Sequence, residues 1–162
     1  MAHFRKRHSA AGFTLVEIIV VIVIIAVSGA ILMPSMRTGL AGMRLEAKGR
    51  DLAALCRMAR TLAVGEQQVY RIGLQRDSNS VFLADAYHER VRDFDLTEEI
   101  KLDTVKYEGK EPHEETVFVS FYPNGRADEA EVVLSNRQGR KVVLTTDVLT
   151  GMARVAVRGE RP

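Results

Sequence analysis

The sequence predicts an α+β protein: one long N-terminal helix followed by a domain built from antiparallel strands. Three observations carry this. Residues 13–33, FTLVEIIVVIVIIAVSGAILM, hold a single charged side chain, Glu17. Leu45, Leu52, Leu55, Ala59 and Leu62 then recur at helical spacing, which marks one apolar face. From residue 68 onward, short β-branched or alternating runs are punctuated by Gly, Pro and Asn.

The first twelve residues are basic and end in SAAG. Arg5, Lys6 and Arg7 precede the apolar run with no acidic residue between them, which keeps the N-terminus cytoplasmic and sends the remainder across a membrane. At ~1.5 Å per residue, residues 13–33 reach roughly 30 Å, the thickness of one bilayer core. A rival reading takes the run as an ordinary secretory signal cut after AVSGA at 26–30, which would release a globular protein.

Glu17 is the difficulty in this run. A charged side chain inside a membrane helix costs roughly 2.5–3.5 kcal/mol on insertion scales, so it needs a partner or a route to the interface. It either snorkels or has a function. Pro34 is expected to kink or locally unwind the helix. Beyond it the pattern resumes, so residues 14–64 read as one helix, apolar all round in its first half and amphipathic in its second. Gly65 is the expected stop.

The strand-like segments follow in order. QVYRIGL (68–74) and SVFLADA (80–86) form a hairpin across QRDSN. Residues 87–99, YHERVRDFDLTEE, are highly charged and read as a loop or short helix. IKLDTVKYE (100–108), TVFVSFY (116–122), AEVVLS (130–135), RKVVLTTD (140–147) and MARVAV (152–157) are the remaining strands, with turns at PNG, NRQG and TG. They predict an antiparallel sheet with one face on the helix.

Charge and cysteine usage narrow the function. The formal charge is +2, and three positive charges lie in the leader, so the remainder sums to −1. That argues against a generally nucleic-acid-seeking protein, though not against a local basic patch. The one cysteine, Cys56, cannot form an intramolecular disulfide and sits where a helix packs. His88 and His113 match no metal-ligand spacing. No phosphate loop, nucleophile elbow or catalytic carboxylate pair is recognisable, so neither enzyme nor cofactor is expected.

A basic leader ending in Gly12, then FTLVE, then an apolar helix, resembles the leader of type IV pilins and type II secretion pseudopilins. The resemblance implies a pilin-like fold and cleavage between Gly12 and Phe13 by a prepilin peptidase. It also implies N-methylation of Phe13, pairing of Glu17 with a neighbour's N-terminal amine in a filament, and a kink at Pro34. RDLAALCRMARTLAVGEQQVYRIGL and FYPNGRADEAEVVLSNRQGRKVVLTTDVLTGMARV are similar to the GspH minor pseudopilins and the related FimT minor pilins. The implied layout is a leader at 1–12, a transmembrane and assembly helix at 13–35, and a periplasmic domain at 36–162, with helix 36–64 and a β-rich region 67–158. The implied partners are the inner membrane, other pseudopilins or pilins, and secreted cargo or the secretin. The favoured reading is a minor pseudopilin of a type II secretion pseudopilus. The alternative is a FimT-like minor pilin of a type IV pilus serving assembly or DNA uptake, with nucleic acid against Arg154, Arg158 and Arg161.

Overall fold

The computed structural model describes residues 14–112 and 114–158, without the side chains of 30–38. The chain divides into two units, one ending at Thr38 and one beginning at Gly39. Helix α1 spans Leu15–Glu66. It is followed by β1 (Tyr70–Gln75), β2 (Ser80–Ala84), β3 (Arg90–Phe94), β4 (Ile100–Tyr107), β5 (Thr116–Phe121), β6 (Ala130–Asn136), β7 (Lys141–Thr146) and β8 (Ala153–Arg158).

The expected single sheet is corrected to two. Strands β3-β2-β1-β5 form one four-stranded antiparallel sheet and β4-β6-β7-β8 the other. The expected loop or helix at 87–99 is also corrected: Arg90–Phe94 is an edge strand paired to β2. Its charged composition suits an edge, where both faces meet water and charge discourages further pairing.

The helix face at 45–62 packs as its spacing requires. Leu45, Leu52, Leu55 and Ala59 are buried and Leu62 is partly buried, joined by Ala53, Cys56 and Ala63. On the flank toward the second sheet the helix places Gly49 against β7 and β8. A Cβ on Gly49 would lie 2.7 Å from a methyl of Val142, so only glycine admits that strand. Strand alternation supplies the facing layer: Ile72 and Leu74, Val81 and Leu83, Val117 and Val119, Val132 and Leu134, Val142 and Leu144. In β4, a bulge between Leu102 and Thr104 shifts the phase, so Leu102 and Val105 both reach the core although three residues apart.

Asn79, at φ 50°, ties the two sheets together. Its side-chain amide donates to the Ile100 carbonyl at 2.9 Å and its oxygen accepts from Leu102 N–H at 2.8 Å. On the outer face of the first sheet, the Phe82 ring covers Gly73, where a Cβ would overlap it. Phe118 meets Phe82 edge-on with centroids 6.1 Å apart, and the Arg90 guanidinium stacks 4.0 Å from the Phe82 centroid. His88, exposed in the loop before β3, leans edge-on against Phe118 at 5.1 Å.

The helix stop differs from expectation. Gly65 lies within α1, and the left-handed residue that ends it is Gln67, at φ 57°. The Gln67 side chain donates to the Val64 carbonyl at 2.7 Å, satisfying one terminal acceptor that a glycine cap would leave to the backbone. Pro34 lies within the span of α1.

Candidate assembly site and turn cluster

Two places gather the residues that the sequence singles out: the head of α1, and the end of the second unit where two glycine turns meet.

Gly12 and Phe13 lie outside the described residues, as do His113 and Arg161. The first described turn begins at Thr14, whose hydroxyl accepts from the Glu17 N–H at 3.2 Å. Thr14 is therefore the N-cap and Glu17 the third helical residue, the Thr-x-x-Glu pattern of a capping box. The Thr-x-x-Glu spacing ahead of an apolar run is a signal that the sequence alone carries. A carboxylate at this position also opposes the positive end of the helix dipole. Glu17 is exposed.

Around and after Glu17 the helix presents apolar side chains on every side. Leu15, Val16, Ile18 to Ile25 and Val27 are each between 46% and 76% exposed. Among the described residues no helix is long and apolar enough to cross a membrane. The described side chains of this run stop at Gly29, whereas the uncharged sequence continues to Met33.

At the second place, the turn Pro123-Asn124-Gly125 closes with Gly125 N–H donating to the Tyr122 carbonyl at 2.9 Å, and Gly125 takes φ 82°. The turn ending at Gly151, φ 62°, is built on Asp147. One Asp147 oxygen accepts from Leu149 N–H, Thr150 N–H and the Thr150 hydroxyl, the closest at 2.8 Å. These bonds from Thr150 are the main reason that the Asp147 carboxyl sits below its usual range. The two turns touch. A Cβ on Gly151 would overlap the Gly125 carbonyl oxygen, and Arg60 from α1 donates its Nε–H to that oxygen at 3.1 Å. Sequence reading marked both glycines as turn residues and missed Arg60 as their common partner.

Beside this cluster is an open cavity of about 580 Å³ whose lining includes Glu108, Tyr122, Arg126, Asp128 and Val148. Asp128 is committed: its oxygens accept from Ser120 N–H at 2.8 Å and the Tyr122 hydroxyl at 2.9 Å. The bond to Asp128 holds the Tyr122 phenol above its usual range. Burial, then the Asp128 charge, pushes Tyr107 up to about 12. Asp128 thus ties the end of β5 to the residues that follow it. Among the described residues no group of three His, Cys, Asp or Glu side chains is arranged to hold a metal.

Arg154 and Arg158 lie on β8, both exposed and on its outer face. Arg158 stands opposite Lys141 and Arg154 opposite Thr145. Lys141 is itself paired to Asp103 at 2.7 Å.

The prokaryotic N-terminal methylation motif matches residues 7–33. No curated protein sequence matches the chain. Among solved structures, the fold is similar to the minor pseudopilin EpsH from the type 2 secretion system of Vibrio cholerae. That match has 12% identity and a TM-score of 0.57, over 72% of this chain and 98% of that one. A second structure of the same pseudopilin matches with 10% identity and a TM-score of 0.57, over 73% and 96%. The type IV minor pilin FimU of Pseudomonas aeruginosa is aligned at 16% identity and a TM-score of 0.49, over 71% and 93%. The chain thus carries a prepilin-type methylation motif ahead of a pilin-like α+β fold, a helix packed on antiparallel sheets.

Proposed function

We propose that this chain is a GspH-like minor pseudopilin, a non-enzymatic subunit that enters a type II secretion pseudopilus after processing. The observation that carries the reading is the methylation motif over residues 7–33, joined to a helix that is apolar on every side. Such a surface is stable only in lipid or against other helices, and a filament core supplies the second once the first is left. The layout that follows is a leader at 1–12, an inner-membrane and assembly helix at 13–35 and a periplasmic domain at 36–162. In it, prepilin peptidase cuts after Gly12 and methylates Phe13, Pro34 bends the helix, and Glu17 pairs with the amine of an adjacent subunit. An unpaired Glu17 in that low-dielectric setting would be costly, so the pair sets subunit register.

N-terminal sequencing and intact mass of the membrane-extracted protein test the processing. The expected result is a mature chain starting at Phe13 and one methyl group heavier than its sequence. A start at or near Ala30 would replace this reading with an ordinary secretory one. Deleting the chain's gene separates the two kinds of filament. Lost protein secretion with intact pili supports the pseudopilus, and lost pili with intact secretion overturns it.

A further inference from the structure

The outer edge of β8 is a strand edge with unusual chemistry. The four edges of the two sheets are treated differently. β3 carries Arg90, Arg92 and Asp93, and a bulge interrupts its pairing with β2. β5 is covered near its end by residues 126–128: Ser120 accepts from Asp128 N–H at 3.0 Å, and Tyr122 N–H donates to Arg126 at 2.9 Å. β4 carries its own bulge. β8, Ala-Arg-Val-Ala-Val-Arg, pairs with β7 in unbroken register. Among the described residues no strand lies on its other side. β8 itself is guarded by neither bulge nor proline, and its two charges, Arg154 and Arg158, share one sign, so they oppose a basic neighbour and admit an acidic one.

The register identifies the free groups. Asp147 N–H donates to the Met152 carbonyl at 2.9 Å, which makes 147 and 152 a hydrogen-bonded pair. Antiparallel pairs alternate, so Arg154, Ala156 and Arg158 direct their backbone groups to β7. Ala153, Val155 and Val157 direct theirs outward. Arg154, Ala156 and Arg158 put their side chains on the outer face. On the opposite face, Val155 packs against the helix near Gly49, while Val157 remains 57% exposed.

From this we infer that the β8 edge receives an extended segment of another polypeptide, with acidic residues four apart on one face and apolar residues alternating on the other. The acidic residues would stand beside Arg154 and Arg158, and the apolar ones would cover Val157. Charge complementarity favours this occupant. Among the described residues neither arginine makes an ion pair; Arg154 helps to hold the Asp147 carboxyl below its usual range, and one oxygen of that carboxylate is held by its own turn. A second copy of β8 offers no acidic partner: paired about Ala156 it sets Arg154 against Arg158 at both ends, and paired about Val155 it sets Arg154 against Ala156. The inference needs only the edge and its charges, and stands apart from the filament reading.

The test uses the full chain in detergent micelles and two labelled peptides, acetyl-VEVTVEV-amide and acetyl-VKVTVKV-amide, followed by fluorescence anisotropy. The glutamate peptide should bind about tenfold tighter than the lysine peptide, the scale of two opposite-charge against two like-charge cross-strand pairs. Val157→Pro should abolish binding, since it removes an outward N–H, and should leave the urea midpoint unchanged, since β7 does not use that N–H. Arg154→Glu with Arg158→Glu should reverse the preference. Equal affinity for the two peptides, no binding of either, or binding that survives Val157→Pro overturns the inference. So does self-association of the chain that Val157→Pro abolishes, or a DNA duplex that binds this face equally well with and without Val157→Pro.

Discussion

Arg60, in the last part of the helix, donates its Nε–H to the carbonyl of Gly125 at 3.1 Å, although 65 residues separate them. The bond pins a turn between β5 and β6 to the helix, and the Gly151 turn packs on the same carbonyl. Arg60→Leu keeps much of the side-chain bulk and deletes the donor. It should destabilise the second unit by about 1–3 kcal/mol, the usual cost of stranding a part-buried acceptor. All four tyrosines lie in this unit, so urea unfolding read by tyrosine fluorescence measures the change.

Gly151→Ala and Gly139→Ala form a matched pair. Both glycines are left-handed, at φ 62° and 79°, so each alanine incurs about 1–2 kcal/mol of backbone strain. Only Gly151 faces an obstacle, the Gly125 carbonyl, whereas Gly139 opens to space. Gly151→Ala should therefore lower the urea midpoint clearly more than Gly139→Ala. Equal losses would mean that the two turns do not touch in solution.

Leu55 is 5% exposed in the helix face that packs on the strands. Leu55→Ala should cost about 2–5 kcal/mol. A loss below about 0.5 kcal/mol would be typical of a surface site and would refute the packing.

Cys56 gives an alkaline signature. Burial pushes its thiol up from 9.0 to about 12. At pH 8 the native chain should hold about a thousandfold less thiolate than the unfolded chain, so labelling by iodoacetamide should wait for unfolding. A raised native pKa means that the native state keeps its proton longer. The stability this contributes is complete below pH 9 and falls away as pH rises toward 12. Tyr107, also held near 12, acts in the same direction from its ordinary 10.0 upward. The urea midpoint should decline across this range, and less steeply in Cys56→Ala.

Glu17→Ala separates assembly from anchoring. Removing the charge makes the apolar run more apolar, so membrane insertion should persist. Cleavage after Gly12 should persist as well. Co-purification with other filament subunits should fall, because the incoming subunit loses an electrostatic partner in a low-dielectric core. Glu17→Gln is the companion variant: it retains the capping pattern with Thr14 and removes only the charge. If it co-purifies normally while Glu17→Ala does not, the charge is not what assembly uses and the ion-pair role is lost.

Several features could be read from the chain itself because they are local. The 3.6-residue recurrence from Leu45 to Leu62 gave the buried helix face, since period alone decides which side chains share a face. Val117, Val119 and Phe121 gave β5 for the same reason at period two. Thr14 and Glu17 carry their capping relation within one turn.

Other features depended on tertiary structure. The segment Arg90–Phe94 has no strand signature of its own and becomes a strand because β2 offers unpaired backbone groups beside it. The split into two sheets rests on β5 returning to β1, a pairing that no turn residue encodes. Gln67, not Gly65, ends the helix, because the side chain of Gln67 can reach the Val64 carbonyl. Arg60 reads in sequence as one more charged residue on a solvated face. Its role exists only where the helix brings it to Gly125 and Gly151, and hydrophobic period carries no information about which distant carbonyl an arginine will meet.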